Sequence, residues 1–428
     1  MIDSMSRGPK WFACLAAAAL VPAMASGSAA AQPAPEAAPA PETYPHMGKT
    51  HEIMVGPDTW FRFGVQAQLW INYQQSPTRV DDSDGGYAFD ELLRRARFIV
   101  AAQLVKNVSA FILFDSPNLG RTTVTGSGDT LAVSKNFSPA IVQDAFAELK
   151  VAGDAFMIEG GLMVLPFSYN GLQSTTSYRV LDVSSTAAVL AGAATSAFRD
   201  VGLQFKGYLL DSKLEYRVGA FSGLRQGPDG ADPAGHNPPR VAGRLHYQFF
   251  DVEKGYVYSG HTFGKRKLLG VGAGFDFQKP GEIGGASATA HKAFSAGVFG
   301  AWPLAGAASP EGGDELAFLG EFYRYDGGTA FAAIPKQNDV NAEVAYYNKG
   351  MRTSFFGRFE MQKFADDAVG QSGPAGNKLW FGAGLKYYVA ESNLNFTLAY
   401  NRVQFPDADE TAVNSTNQFT MQMQAFYY

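Results

Sequence analysis

Cysteine is all but missing. The 428 residues contain one, Cys14, and it falls within a stretch that reads as an export signal. Neither disulfides nor thiol chemistry is therefore expected in the rest of the chain. Long apolar runs are missing too. Beyond residue 31 no stretch of about 18 apolar residues occurs, which excludes a membrane-spanning helix. The six histidines, His46, His51, His236, His246, His261 and His291, show no ligand spacing, so no metal is expected. No G-x-S-x-G elbow is present. Gly270-Val271-Gly272-Ala273-Gly274 lies inside a strand pattern, not at a strand-to-helix turn. It reads as small residues at a barrel bend or subunit contact, not as a cofactor loop. An excess of positive charge is also lacking, since the formal net charge is −5. That argues against a nucleic-acid partner. The chain is expected to be no enzyme and to carry no cofactor.

Glycine is abundant at 47 residues, and 13% of residues are aromatic. Arg7 and Lys10 precede a short apolar core at residues 11–21. Ala29-Ala30-Ala31 before Gln32 suits cleavage, with Ala23-Met24-Ala25 as the alternative site. Residues 1–31 are thus read as a signal peptide. Residues 32–59 begin Pro/Ala/Glu-rich and are read as a periplasmic linker. Residues 60–428 hold the folded part.

Residues 60–73, WFRFGVQAQLWINY, set its pattern. Phe61, Phe63, Val65, Ala67, Leu69, Ile71 and Tyr73 are apolar, while Arg62, Gly64, Gln66, Gln68, Trp70 and Asn72 are mostly polar. A period of two makes a strand with one apolar face. Its length exceeds the common strand of about 5–6 residues and suits the 9–11 or so that a tilted strand needs to cross a bilayer. About sixteen such runs follow one another: 60–73, 94–105, 108–115, 141–151, 155–163, 198–210, 213–221, 240–250, 268–278, 293–302, 315–325, 340–348, 351–364, 378–389, 394–405 and 418–428.

The connections alternate in length. Lys106-Asn107, Gly153-Asp154, Asp211-Ser212, Lys349-Gly350 and Glu391-Ser392 are short. Residues 74–93, 116–140, 164–197, 222–239, 279–292, 326–339, 365–377 and 406–417 are long and rich in Gly, Asp, Ser and Pro. Transmembrane barrels have short periplasmic turns and long outer loops. Parity then puts both termini in the periplasm. Residues 251–267 and 303–314 break the rule as long inner turns; Gly264-Lys265-Arg266-Lys267 in the first is read as solvated. In the last run Phe419, Met421, Met423, Ala425 and Tyr427 face outward, so Tyr427 and not Tyr428 lies on the apolar face. The aromatic end resembles the signal that barrel-assembly machinery reads. The expected fold is all-β: a transmembrane antiparallel β-barrel of about 16 strands in the outer membrane of a Gram-negative bacterium.

Six stretches carry a further resemblance: FDELLRRARF (89–98), QDAFAEL (143–149), GLMVLPFS (161–168), FRDVGLQFKG (198–207), NPPRVAGRLHYQFFD (237–251) and GKRKLLGVGAGFD (264–276). In order and spacing the chain resembles the phosphate-selective porin O and P family. The resemblance implies a homotrimeric, water-filled barrel of sixteen strands, with the third outer loop folded into the pore. Here that loop is 164–197, the longest.

A porin needs a lumen with a field and a narrow point. With the apolar set facing lipid, the pore-lining, anion-attracting candidates are Arg62, Arg95, Arg97, Lys206, Arg217, Arg244, Arg352 and Arg358, with Lys386. Acidic candidates on the same faces are Asp144, Glu148, Glu159, Glu215, Glu321, Glu343 and Glu360, so lumen charge is nearly balanced. Arg94 is placed outward, toward lipid phosphates. In the constriction loop the candidates are Tyr178, Arg179 and Asp182. A two-residue hairpin at Asp211-Ser212 pairs residues summing to 423, and sets Lys206 opposite Arg217; a slip by two residues keeps the faces and sets Lys206 opposite Glu215 instead. The expected function is passive diffusion of small ions or hydrophilic solutes, with an anion or phosphate preference as the narrower reading. Two other classes fit parts of the pattern. One is a secreted or surface-bound β-rich binding protein. The other is an outer-membrane barrel enzyme, which needs a Ser/His/acid group at one rim that is not legible here.

Overall fold

Alternation becomes a closed sheet in the computed structural model. It describes residues 52–75, 87–125, 132–137, 139–193, 198–223, 238–279, 282–283, 286–287, 289–304, 308–328, 331–365, 376–407 and 415–428. Sixteen strands form the wall. They are β1 (Thr59–Gln75), β2 (Tyr87–Val105), β3 (Val108–Asp115), β4 (Ile141–Lys150), β5 (Met157–Val164), β6 (Arg199–Leu209), β7 (Leu214–Phe221) and β8 (Arg240–Gln248). They continue with β9 (Leu268–Gln278), β10 (His291–Pro303), β11 (Glu315–Asp326), β12 (Gln337–Asn348), β13 (Thr353–Phe364), β14 (Lys378–Ala390), β15 (Leu394–Gln404) and β16 (Ser415–Tyr427). Each pairs antiparallel with its sequence neighbours. β16 returns to β1 from Val65 opposite Tyr427 to Gln74 opposite Gln418, which closes the barrel. Closure leaves no wall strand with an unpaired edge. A short piece, Ile53–Gly56, folds back along the start of β1.

The faces separate by chemistry. In β1, Phe63, Val65 and Tyr73 are exposed, while Gln66, Gln68 and Asn72 are buried. The same division runs through Leu203 and Phe205, Phe275 and Phe277, Phe294 and Val298, and Phe419, Met421 and Met423, all of them exposed. A continuous apolar belt of this kind is unstable in water and is what a bilayer requires. The barrel is a transmembrane one. Tyr427 is exposed and Tyr428 buried, as the phase of the last run requires. Room for Tyr428 comes from Gly64: a Cβ there would lie 2.5 Å from the tyrosine ring.

Strand β2 differs from expectation at its start. It begins at Tyr87, not near residue 94. A bulge explains the difference. Gln68 pairs with Arg95 and Leu69 with Leu93, so Arg94 is the extra residue. The bulge inverts the phase: Asp90 and Leu92 face in before it, Arg95, Arg97 and Ile99 after it. Two half-strands of opposite phase do not read as one. Arg94 itself turns inward, bonds Asp182 at 2.8 Å and lies over the Trp70 ring, so its outward placement is corrected.

Connections between β6 and β7 follow the summed register. Leu209 faces Leu214 and Lys206 faces Arg217. The turn is wider than two residues: Leu210, Asp211 and Ser212 all take positive φ, and the Lys213 amide bonds the Leu210 carbonyl. Arg352 is likewise in a turn, outside β13. It is exposed, with φ of 49°, and its amide bonds the Lys349 carbonyl.

Candidate functional site

The polar faces of the strands line the lumen, and their charges are heavily paired. Arg97 bonds Asp115 at 3.0 Å, and Arg199 contacts both Asp144 oxygens at 3.2 Å. Lys206 lies 3.2 Å from Glu159 and 3.5 Å from Glu148. Arg217 bonds Glu215, and Arg240 bonds Asp276. Arg358 forms an ion pair with Glu360 at 2.8 Å. Arg62, at the short-turn end, bonds Glu52 between the Trp60 and Tyr428 rings. Buried charges without partners are costly, and pairing removes most of that cost.

Lys206, Arg217 and Arg244 sit side by side across three strands, with Arg217 directly opposite both of the others. Like charges so placed repel. Carboxylates answer two of them. Arg244 is the exception: its Nη1 donates to the Phe167 carbonyl at 3.2 Å, while Nε and Nη2 have no hydrogen-bond partner among the described residues. Its guanidinium lies over Gly272, where a Cβ would come within 2.4 Å of Nη2.

Residues 165–193 connect to this wall from many sides. Asp182 takes Arg94 at 2.8 Å and Arg95 at 2.6 Å, both from β2. Burial raises the Asp182 pKa, but Arg94, Arg95 and the Val183 amide outweigh it and hold the carboxyl below the usual carboxylate range. Its folded pKa lies below its unfolded one, so the anchor's stability is present above about pH 3.9 and is lost only as pH falls through the folded value. From β14, Lys386 donates to the Tyr178 and Val180 carbonyls at 2.8 and 3.1 Å. From β11, Glu321 accepts the amides of Tyr169 and Asn170. One helical turn, α1 (Ser185–Ala188), is capped by Ser184, and the Thr186 amide bonds Glu360 of β13. Arg179, between the two carbonyls that Lys386 binds, is fully buried over the Tyr169 ring, with Nε, Nη1 and Nη2 unpartnered among the described residues.

Most of residues 249–267 also enters the lumen, while Phe249 and Phe250 at its start stay exposed. The sequence reads 251–267 as an inner turn, yet Glu253, Tyr256, Tyr258, His261, Thr262 and Phe263 are all buried. Glu315 of β11 holds the tip, accepting the amides of Thr262 and Gly264 and contacting His261 at 3.0 Å. Arg217 holds the base through the carbonyls of Gly255 and Tyr256, each at 2.8 Å. Of the basic run, Lys265 bonds Glu391, Arg266 bonds the Val252 carbonyl, and Lys267 stands over the Phe250 and Trp302 rings.

The two segments grip one another. The Ser174 amide bonds the Tyr258 carbonyl at 2.7 Å, and the Tyr258 amide bonds the Leu172 carbonyl at 2.9 Å. Tyr169 stacks between Tyr258 and Phe299, at 4.8 and 4.1 Å between ring centres, and its hydroxyl donates to Glu253. With Phe167, Tyr323 and Tyr325 these rings form an apolar core against β8–β11. On the other side a cavity of about 60 Å³ remains between the two segments and the wall. Arg97, Asp144 and Arg199 border it, with Thr175 of one segment and Tyr256 of the other.

The structure thus gathers Arg95, Tyr178, Arg179, Asp182 and Arg358 around one segment, and Lys206, Arg217 and Arg244 on one wall. Arg62 and Arg352 are apart, at the short-turn end. Glu253, Tyr258 and Glu315 escaped sequence reasoning. The available signal was the length of 251–267 and its run of aromatic residues, which an exposed turn has no use for.

No protein-family model matches the sequence, and no curated protein is similar to it. Among solved structures the fold is similar to that of OprB from Pseudomonas putida, solved at high pH, with a TM-score of 0.56 and 10% identity over 86% of this chain and 94% of that one. It is also similar to the outer membrane channel DcaP of Acinetobacter baumannii, with a TM-score of 0.52 and 10% identity over 86% and 97%. At such identity the likeness is one of fold: a closed sixteen-stranded antiparallel barrel.

Proposed function

We propose that the chain is an outer-membrane porin through which small hydrophilic solutes or ions diffuse passively. The observation that carries this reading is the opposition of faces: an apolar belt outside, and inside a polar lumen with a cavity bordered by wall and inserted segments. The fold shared with DcaP, itself described as a channel, supports it. In this reading residues 165–193 and 249–267 constrict the pore. The barrel is a homotrimer inserted by the assembly machinery after loss of the signal peptide. Planar-bilayer recording tests the channel. Purified protein should give discrete conductance steps in potassium chloride; a folded, heat-modifiable preparation that gives none contradicts the reading.

The resemblance to the phosphate-selective porins adds an anion preference. Among the described residues four arginines, Arg62, Arg179, Arg244 and Arg402, keep buried guanidinium nitrogens without a hydrogen-bond partner, and of these Arg244 and Arg179 keep the most, two and three. Arg244→Gln should lower the chloride-to-potassium permeability ratio, by about fivefold at most, which is what one charge is worth at close range in a water-like medium. Arg244 lies on the packed side of the lumen and acts through its field; an unchanged ratio would remove it from the field that a passing ion meets. Orientation is open to a separate check. Cysteine at Ala140, on the long-loop end, should react with impermeant thiol reagents on whole cells, and cysteine at Lys349 should not. The reverse pattern would invert the barrel.

A further inference from the structure

Cations on the lipid-facing surface of the wall are few and unevenly placed. Among the described residues of the sixteen strands, the outward-facing ones are Lys292, Arg324, Lys363 and Arg402, on β10, β11, β13 and β15. Strands β1–β9 carry none. Between β11 and β13, strand β12 presents Asn338. The registers set Arg324 directly opposite Asn338, and Asn338 directly opposite Lys363. Each of the three is exposed between buried neighbours: Tyr323 and Tyr325, Gln337 and Asp339, Gln362 and Phe364. They form one row across the outside of the barrel.

The row stands at the long-loop end of its strands. The next outward row toward the short-turn end is Phe322, Val340 and Met361, in the same register. The change from apolar to basic marks the edge of the belt, where headgroups replace acyl chains. Cations on a lipid face are cheap only near that edge.

Most lumen cations meet carboxylates, and these two do not. Neither the Arg324 nor the Lys363 side chain has a hydrogen bond or ion pair among the described residues. Asp326, two residues beyond Arg324, faces Lys292 and accepts the Gly328 amide. Two strand spacings separate Arg324 from Lys363, about 10 Å, so both long side chains can reach one group above Asn338. Charge requires that group to be an anion, and its place requires it to lie at the membrane surface. Guanidinium and ammonium both suit phosphate oxygens, and the Asn338 amide adds a donor. We propose that Arg324, Asn338 and Lys363 bind the phosphate of a lipid headgroup in the leaflet at the long-loop end. The acyl chains of that lipid then run along Phe322, Val340 and Met361. Being on the outside of the wall, the site is independent of the channel reading.

The test is lipid binding to the detergent-purified full chain, read by native mass spectrometry. The probes are phosphatidate and the diacylglycerol with the same chains, which differ by the phosphate alone. Wild-type protein should bind phosphatidate in preference. Arg324→Gln with Lys363→Gln should weaken that binding by roughly thirtyfold, at about fivefold for each cation beside an anionic surface. Lys292→Gln with Arg402→Gln removes the same charge from the same side of the barrel and should weaken it by less than about fivefold. All four substitutions lie on the surface, so heat-modifiable migration should be kept. Equal binding of the two lipids by the wild type would overturn the site without any variant. Equal weakening in the two double variants would replace the row by a diffuse field and overturn it as well. So would inorganic phosphate that displaces phosphatidate at equal concentration, since the occupant would then be a free anion and not a lipid.

Discussion

Arg217→Met should destabilise the folded barrel by about 3–5 kcal/mol, the typical cost of removing one partner from a buried ion pair. Three losses coincide. Glu215 is left buried with no guanidinium, since Arg217 lies 2.6 Å from it and both side chains are 1% exposed. The Tyr256 carbonyl loses its donor and the Gly255 carbonyl keeps only the Tyr208 hydroxyl at 3.3 Å, which loosens the base of the inserted turn. Tyr258, whose ring lies under the Arg217 guanidinium and whose hydroxyl bonds Glu215, loses its setting. Adding Glu215→Leu should recover part of the stability, because the stranded charge goes with it. The measurement is a urea titration of the heat-modifiable band. A shift within about 0.5 kcal/mol, the range of ordinary surface substitutions, would mean that the pair is not the anchor described here.

The second large effect is on flow. Deleting residues 184–193 removes the Ser184 cap, the Thr186 contact with Glu360, and the Tyr325 hydroxyl's bond to the Thr186 carbonyl. It leaves the Asp182 anchor to Arg94 and Arg95 in place. Pore diameter limits flow, so single-channel conductance should roughly double or more. Unchanged conductance in a folded variant would move the narrow point to residues 249–267 alone. Together these two variants separate the anchor of one inserted segment from the bulk of the other.

The wall was legible in the sequence because the bilayer enforces a period of two over each crossing. Phe63 and Val65 must face lipid, and the turn narrows the register of β6 on β7 to two choices, of which the structure takes Lys206 opposite Arg217. The bulge at Arg94 was not legible, since a single extra residue reverses phase and leaves no compositional mark. Nor was the filling of the lumen. Asp182 meets Arg94 and Arg95 across 88 and 87 residues of sequence, and Lys386 meets the Tyr178 carbonyl across 208. Such partners share no local pattern. Residues 253–264 face neither lipid nor bulk water, so neither solvent imposes a periodicity on them. The candidate arginines were found by face, but which of them remain free depended on the carboxylate each one met.

The central claim, which rests on the channel reading, is that the two inserted segments close the lumen against β8–β11 and leave the path beside β1–β4. Scarcity of cysteine makes it directly measurable, because in a Cys14→Ser background any introduced thiol is unique. Thr175 borders the cavity, and Tyr323 is buried in the apolar core. Single-channel current should fall when Thr175→Cys is treated with a charged methanethiosulfonate, and should not change for Tyr323→Cys. Block at Tyr323→Cys with none at Thr175→Cys would place the path on the opposite wall and contradict the account.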